Sequence, residues 1–174
     1  SRATQGQRAM GDWGGILICG NARINNPGGV SIMEGFPDDV TNARYGGTDD
    51  EDSSGVMSYC RVEFGGIALF PNQEINGLTL AAVGRKTKLD HIQVSYAGDD
   101  SYEFFGGTVD TKYMIAYGGI DDDFDTDNGY SGRNQFLLGK RFRQVADQST
   151  SQTFESDNDA SGSRNEPLTR AVYS

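Results

Sequence analysis

Three stretches of the chain repeat one pattern. "RVEFGG" (Arg61 to Gly66), "QVSYAG" (Gln93 to Gly98) and "MIAYGG" (Met114 to Gly119) each run apolar, small or polar, aromatic, small, glycine. The second and third copies start 21 residues apart, with "EFFGG" (Glu103 to Gly107) between them. That distance suits one coil of a solenoid carrying more than one strand per turn. In a parallel β-helix each coil stacks on the last and like positions fall above like, so apolar and aromatic residues form ladders while glycine permits the corner between sheets. The recurring aromatic-small-glycine is therefore read as a corner.

The rest of the chain agrees with this pattern. "GGILICG", "VMSYCRVEFGG", "INGLTLAAVG", "LDHIQVSYAG", "YEFFGGTVD", "KYMIAYGG" and "RNQFLLG" are short, rich in β-branched and aromatic residues and closed by glycine or a turn residue. No window holds helical apolar spacing for more than a turn or two. The antiparallel alternative needs Asn-Gly or Asp-Gly hairpins between neighbouring strands; Asn-Gly occurs only at Asn76-Gly77 and Asn128-Gly129. Glycine, at 24 of 174 residues, is roughly twice its ordinary share of about 7%, as a fold of many corners requires. The expectation is an all-β parallel β-helix forming one domain over residues 1–174. The polar stretches at about 25–55 and 147–167 are expected to project as surface loops. "AVYS" at the end resembles the start of another strand and neither end resembles a polar cap, so a segment of a longer chain is expected.

Fifteen basic and twenty-five acidic residues leave a net charge of -10, which disfavours nucleic acid and anionic membrane surfaces as partners. No stretch approaches the ~18 apolar residues of a membrane span. The two cysteines, Cys19 and Cys60, exclude a disulfide scaffold; they are either one disulfide or two small apolar strand residues.

The densest charge is "GGIDDDFDTDNGYSG", Gly118 to Gly132. Carboxylates this close repel unless a cation or a donor offsets them. In an extended run Asp121, Asp123, Asp125 and Asp127 point to one side, and hard cations such as calcium take six to eight oxygens from carboxylates and carbonyls. The spacing is not an EF-hand, because Gly129 comes one position late and Asn134 stands where the closing Glu belongs. Calcium bound by these aspartates and a solvated acidic turn both remain open. If Ala97-Gly98 stacks on Gly118-Gly119, Asp99 and Asp100 fall beside Asp121 and Asp122 and extend the acids into a ridge, which Arg133 or Lys140 could partly neutralise.

"GDWGGILICGNA" (Gly11 to Ala22), "EINGLTL" (Glu74 to Leu80), "VSYAGDDSYEFFGGTV" (Val94 to Val109), "DDDFDTDNGYSG" (Asp121 to Gly132) and "FESDNDASGS" (Phe154 to Ser163) resemble a family of secreted bacterial surface proteins. The resemblance implies a right-handed parallel β-helix of the pectate-lyase-like type. It also implies an extracellular or cell-surface location, often as an outer-membrane lipoprotein or a type IX secretion substrate, and complete proteins longer than this chain. It implies no activity.

Polygalacturonase-like enzymes on this fold pair carboxylates with a Gly-His-Gly and an Arg-x-Lys, and neither string occurs here. "LDHI" around His91 faintly resembles a pectate-lyase segment, in which Arg133 would be the candidate base. No Gly-x-Ser-x-Gly elbow is present. Aromatics are dense between Val94 and Ser131, and sugars stack on exposed rings; Tyr102 and Tyr130, beside the acidic runs, are expected to be exposed and, with Arg133, to contact a ligand. The expected function is a non-catalytic structural or adhesive module with calcium at its acidic corners and a polysaccharide or another surface protein as partner. The alternatives are a calcium-dependent polysaccharide lyase or glycosidase, and a subunit of a larger surface assembly.

Overall fold

The structure, a computed structural model, describes residues 6–70, 73–148 and 150–174. The first coil begins with β1 (Ile16–Cys19), makes an excursion carrying the hairpin β2 (Ser31–Ile32) and β3 (Arg44–Tyr45), and ends with β4 (Val56–Glu63). A second hairpin, β5 (Ala68–Phe70) and β6 (Gln73–Glu74), precedes the next coil. The later coils are β7 (Leu78–Ala81) with β8 (Lys88–Ser95), β9 (Tyr102–Phe105) with β10 (Thr111–Tyr117), β11 (Phe124–Asp127) with β12 (Arg133–Lys140), and β13 (Phe154–Ser156) with β14 (Val172–Tyr173). The first member of each coil joins one parallel sheet, in the order β1-β7-β9-β11-β13. The second members join another, in the order β4-β8-β10-β12-β14. This is the stacked architecture of a parallel β-helix.

Register makes the ladders concrete. Ile16, Leu78, Tyr102, Phe124 and Phe154 are register partners in succession on the first sheet. Across the core stand Cys60, Ile92, Met114 and Leu137 on the second. Tyr102 and Phe124 stack with ring centroids 5.1 Å apart and planes 5° from parallel. Such pairs add ≈ 0.5–1.5 kcal/mol beyond their burial.

The corners are built from left-handed residues, and they recur in columns. Ala82, Gly106 and Asn128 end the strands of the first sheet, while Phe64, Tyr96 and Gly118 end those of the second. A third column, Tyr59, His91, Tyr113 and Phe136, lies inside the strands of the second sheet, where it interrupts the pairing and bends each strand. The spacing from β8 to β10 is 22 residues, since Ser95 pairs with Tyr117. "MIAYGG" is thus displaced by one from the expected alignment: Phe64 and Tyr96 stack, at 5.2 Å, but glycine takes the next left-handed position, at Gly118, and Tyr117 falls one place early.

The seven expected strands are all present. Two strands of the parallel sheets that were not expected, β11 and β13, are too polar on their outer side to read as strands, and the short hairpins β2-β3 and β5-β6 were not expected either. The 20–55 excursion does not simply project. Ile24, Met33, Ala43 and Tyr45 are buried against Ala81 and Ala82 in a second apolar cluster, because the outer positions of the first two coils, Cys19 and Ala81 among them, are small or apolar and demand cover. Cys19 and Cys60 are free thiols. No helix among the described residues is long and apolar enough to cross a membrane.

Candidate metal centre

Beyond the excursion, the outer face of the first sheet turns acidic. Thr79, Glu103, Asp125 and Glu155 are successive register partners, so three carboxylates stand one strand spacing, about 4.8 Å, apart. The residues just before the strands form a matching row. Asp122 donates its backbone N–H to Asp100 Oδ1 at 2.8 Å, and the Asn76 side-chain amide donates to Glu103.

Two groups of carboxylates converge. Oxygens of Asp99, Asp100 and Asp121 lie within 4.8 Å of one another, as do those of Asp100, Glu103 and Asp125, with Asp100 shared between the groups. Several oxygens here are buried with no hydrogen-bond partner among the described residues: Asp121 Oδ1, Asp125 Oδ1 and Asn76 Oδ1. Asn76 is only 3% exposed. Burying acceptors without donors is costly, and a set of oxygens this close matches what a hard divalent cation takes as ligands.

The electrostatics express the same tension. Burial, followed by the charges of Asp121 and Glu74, pushes Asp99 up to about 7. Burial and neighbouring Asp127 push Asp125 up to about 7, and burial and Asp122 push Asp121 up to about 6. Asp100 and Glu103 are raised well above the usual carboxylate range, chiefly by burial. Glu155 rises to about 8 through its hydrogen bond with Asp122 and then through burial.

The expected ligands separate into four environments. Asp125 joins one group, and Asp121, Asp99 and Asp100 the other; the stacking is one residue off the expected alignment, since the 22-residue spacing sets Ala97, not Gly98, beside Gly119 and so Asp99 and Asp100 beside Asp121 and Asp122. Asp127 points outward from β11, accepts the Asn128 N–H at 2.6 Å and faces a cleft of about 590 Å³ bounded by Tyr45, Glu103 and Phe105. Asp123 does not share their side. It lies before β11, is 0% exposed and is paired with Arg141 at 3.2 Å. Arg141 also donates to the carbonyls of Ile120, Asp121 and Gln152. It is this arginine that offsets the acids; Arg133 is held by Asp110 at the start of the second sheet.

Two expected contacts are corrected. Tyr102 and Tyr130 are both 0% exposed and present no face to a ligand. The Tyr102 hydroxyl crosses the core, accepts from Val94 N–H at 3.1 Å and shares its proton between the carbonyls of Ile92 and Ile115, each at 2.9 Å. These are main-chain groups next to the left-handed residues His91 and Tyr113, where strand pairing lapses. Tyr130 donates to Val109 O at 2.7 Å. His91 stacks between Tyr59 and Tyr113, with Nδ1 2.8 Å from Asp90, on the other sheet from the carboxylate groups.

Glu103, Glu155 and Asp122 lie in or beside acidic runs that the sequence shows, but they were not among the expected ligands. The signal was available in the alignment of "DSYEF", "DDFDT" and "QTFES", which places an acid in the same column each time.

A family model described as pectate-lyase like beta helix domain matches residues 2–174. No curated protein and no solved structure matches the chain.

Proposed function

The chain belongs to the pectate-lyase-like β-helix family, a fold that hosts more than one chemistry, and from that premise we propose a non-catalytic structural or adhesive module, displayed outside the cell, whose acidic face is held together by calcium. The observation that carries this reading is the convergence of Asp100, Glu103 and Asp125 within 4.8 Å, with buried oxygens of Asp125 and Asn76 lacking donors. Asp100, Glu103 and Asp125 would supply charged oxygens and Asn76 a neutral one. Asp99 and Asp121 would complete a second position around the shared Asp100. The ion would supply the positive charge to Asp100, Glu103 and Asp125, and would add to that of Arg141, which donates to the Asp121 carbonyl beside the second group.

The close spacing also weighs against the glycosidase alternative. Paired catalytic carboxylates stand about 5 Å apart or more, to leave room for a sugar or a water. Oxygens of Asp100, Glu103 and Asp125 instead converge within 4.8 Å. The lyase alternative needs a base beside the acids, and Arg133 is engaged by Asp110. Polysaccharide or another surface protein remains the partner class proposed for a module of this kind.

Metal analysis after dialysis against calcium tests the reading. One or two calcium ions per chain, lost in the Asp100→Asn variant that removes the shared ligand, support it. A metal content indistinguishable from the buffer overturns it.

A further inference from the structure

The outer face of the second sheet carries a different chemistry. Of the twelve large apolar side chains exposed among the described residues, six (Val56, Tyr59, Tyr113, Phe136, Leu138 and Val172) lie on its strands. Apolar groups gathered on one face mark an interaction surface more often than scattered ones do.

The relief of this face is specific. Tyr59, His91, Tyr113 and Phe136 form a continuous stack across four coils, with ring centroids 4.3, 4.5 and 4.9 Å apart. All four are left-handed, with φ between 50° and 61°, an uncommon conformation for bulky residues. Beside this ridge runs a groove of about 470 Å³ whose far wall is Arg61, Gln93, Ile115 and Leu138. Ridge and groove span the same four coils and lie side by side.

The stacking also narrows the occupant. Each inner ring has its faces covered by its neighbours, so the groove meets ring edges, whereas sugars stack on ring faces. Charge narrows it further. The chain carries -10 overall and crowds its acids on the first sheet. The strands of the second carry few acids, Glu63 and Asp90, beside the exposed Arg61, Lys88, Lys112, Arg133 and Lys140, of which Arg61 and Arg133 are paired with Glu63 and Asp110. Two copies meeting through the second sheet turn their acidic faces outward, away from the contact. Those faces are then separated by two helix thicknesses, each about 10 Å, beyond the screening length of about 8 Å at physiological salt.

We propose that this face pairs two copies of the chain about a two-fold axis, helix axes antiparallel, with the aromatic ridge of each copy seated in the groove of the other. A ridge and a groove of equal length on one face is the self-complementary relief that an isologous contact requires. The contact is independent of the acidic groups on the opposite sheet.

Sedimentation equilibrium of the purified chain tests this. The wild-type chain sediments as a dimer at tens of micromolar, with and without chelator. The double variant Tyr59→Asn, Phe136→Asn weakens dimerisation by about 30-fold or more, the loss expected of central aromatic anchors. Asparagine accepts the left-handed conformation, so the thermal melt of the variant should persist; if it does not, Leu138→Lys reads the same contact from the groove wall. Val30→Asn, an exposed apolar residue away from this face, leaves the dimer unchanged. A wild-type chain that stays monomeric, including one whose groove binds an oligosaccharide instead, overturns the proposal. So does a dimer that survives both ridge and groove variants, or one that chelator dissolves.

Discussion

Glu103 and Asp125 are register partners on adjacent parallel strands, and their carboxylate oxygens converge with one from Asp100 within 4.8 Å. Stacking in a β-helix copies a side-chain choice from one coil to the next, so an outward acid repeated once becomes a pair and repeated twice becomes a ladder. Like charges directly opposite one another destabilise a sheet. The arrangement is tolerable when the acids are protonated or when a cation lies between them.

Stability without calcium should therefore fall as pH rises. Asp99 and Asp125 have folded values of about 7, Asp121 about 6 and Glu155 about 8, all above the unfolded values near 4. The folded state binds more protons than the unfolded state across this window, so the contribution of these groups is fully present below about pH 4 and lost as pH rises towards about 8. Thermal melts in chelator between pH 4 and 8 should show a declining melting temperature, and added calcium should flatten the decline. Melts that rise with pH in chelator would contradict it.

Calcium should displace protons from these groups near neutrality. At pH 6.5, the apparent binding enthalpy should differ between cacodylate, whose ionisation heat is small, and an amine buffer, whose ionisation heat is large. At higher pH, as these groups lose their protons, the difference between the two buffers should shrink. Equal enthalpies in the two buffers at pH 6.5 would mean that the acids are already ionised.

Asp123 and Asp125, two residues apart, should respond differently to substitution. Asp123→Asn leaves Arg141 short of its carboxylate partner and should cost about 2 kcal/mol whether or not calcium is present, the size of a hydrogen bond to a charged group. Asp125→Asn removes one of the crowded charges, and should raise the melting temperature in chelator while removing the response to calcium. Urea denaturation of both variants, each with and without the ion, separates the two roles.

The Tyr102 hydroxyl serves main-chain groups on β8 and β10 at the bend in those strands. Tyr102→Phe should cost about 1–3 kcal/mol, the penalty for leaving buried polar groups unpaired, and should speed hydrogen exchange at Val94. A neutral substitution would mean that the bend satisfies its own main chain.

Gly107 and Gly162 are both left-handed, with φ 84° and 64°. A Cβ on Gly107 would come within 2.6 Å of Val83 O, whereas one on Gly162 meets nothing. Gly107→Ala should cost more than about 3 kcal/mol or prevent folding. Gly162→Ala should cost about 1 kcal/mol, the conformational penalty alone. Similar losses in urea denaturation would mean that the corner at Gly107 can relax.

Much of the fold was legible because stacking repeats a pattern: glycine-closed aromatic runs marked the strands of the second sheet, and the stacking of neighbouring coils brought Asp99 and Asp100 to Asp121 and Asp122, although with Ala97 rather than Gly98 beside Gly119. The site was legible only in part. Strand β11 alternates Phe124 and Thr126 inward with Asp125 and Asp127 outward, and so dense an acidic run reads as a loop until the neighbouring "YEF" and "FES" are laid above and below it. Tyr102 was misplaced because an aromatic beside acids looks exposed in one dimension, whereas in a coil the residue next to an outward acid points inward; Tyr130, just beyond the turn after β11, folds back and donates to Val109 O. Arg141 lies beyond β12, and nothing local indicates that its guanidinium folds back onto Asp123.

Calorimetric titration of the chelator-treated chain with calcium, paired with thermal melts, tests the central claim most directly. The account predicts saturable binding with a dissociation constant between about 10 µM and 1 mM, in the range of calcium sensors and extracellular modules. It also predicts a melting temperature that rises with calcium concentration by mass action, equivalent to about 2.7 kcal/mol at a hundredfold excess over the dissociation constant, with both effects absent in Asp100→Asn. No heat and no shift in the wild-type chain would contradict it, and would leave Glu103 and Asp125 as acids that the fold keeps protonated.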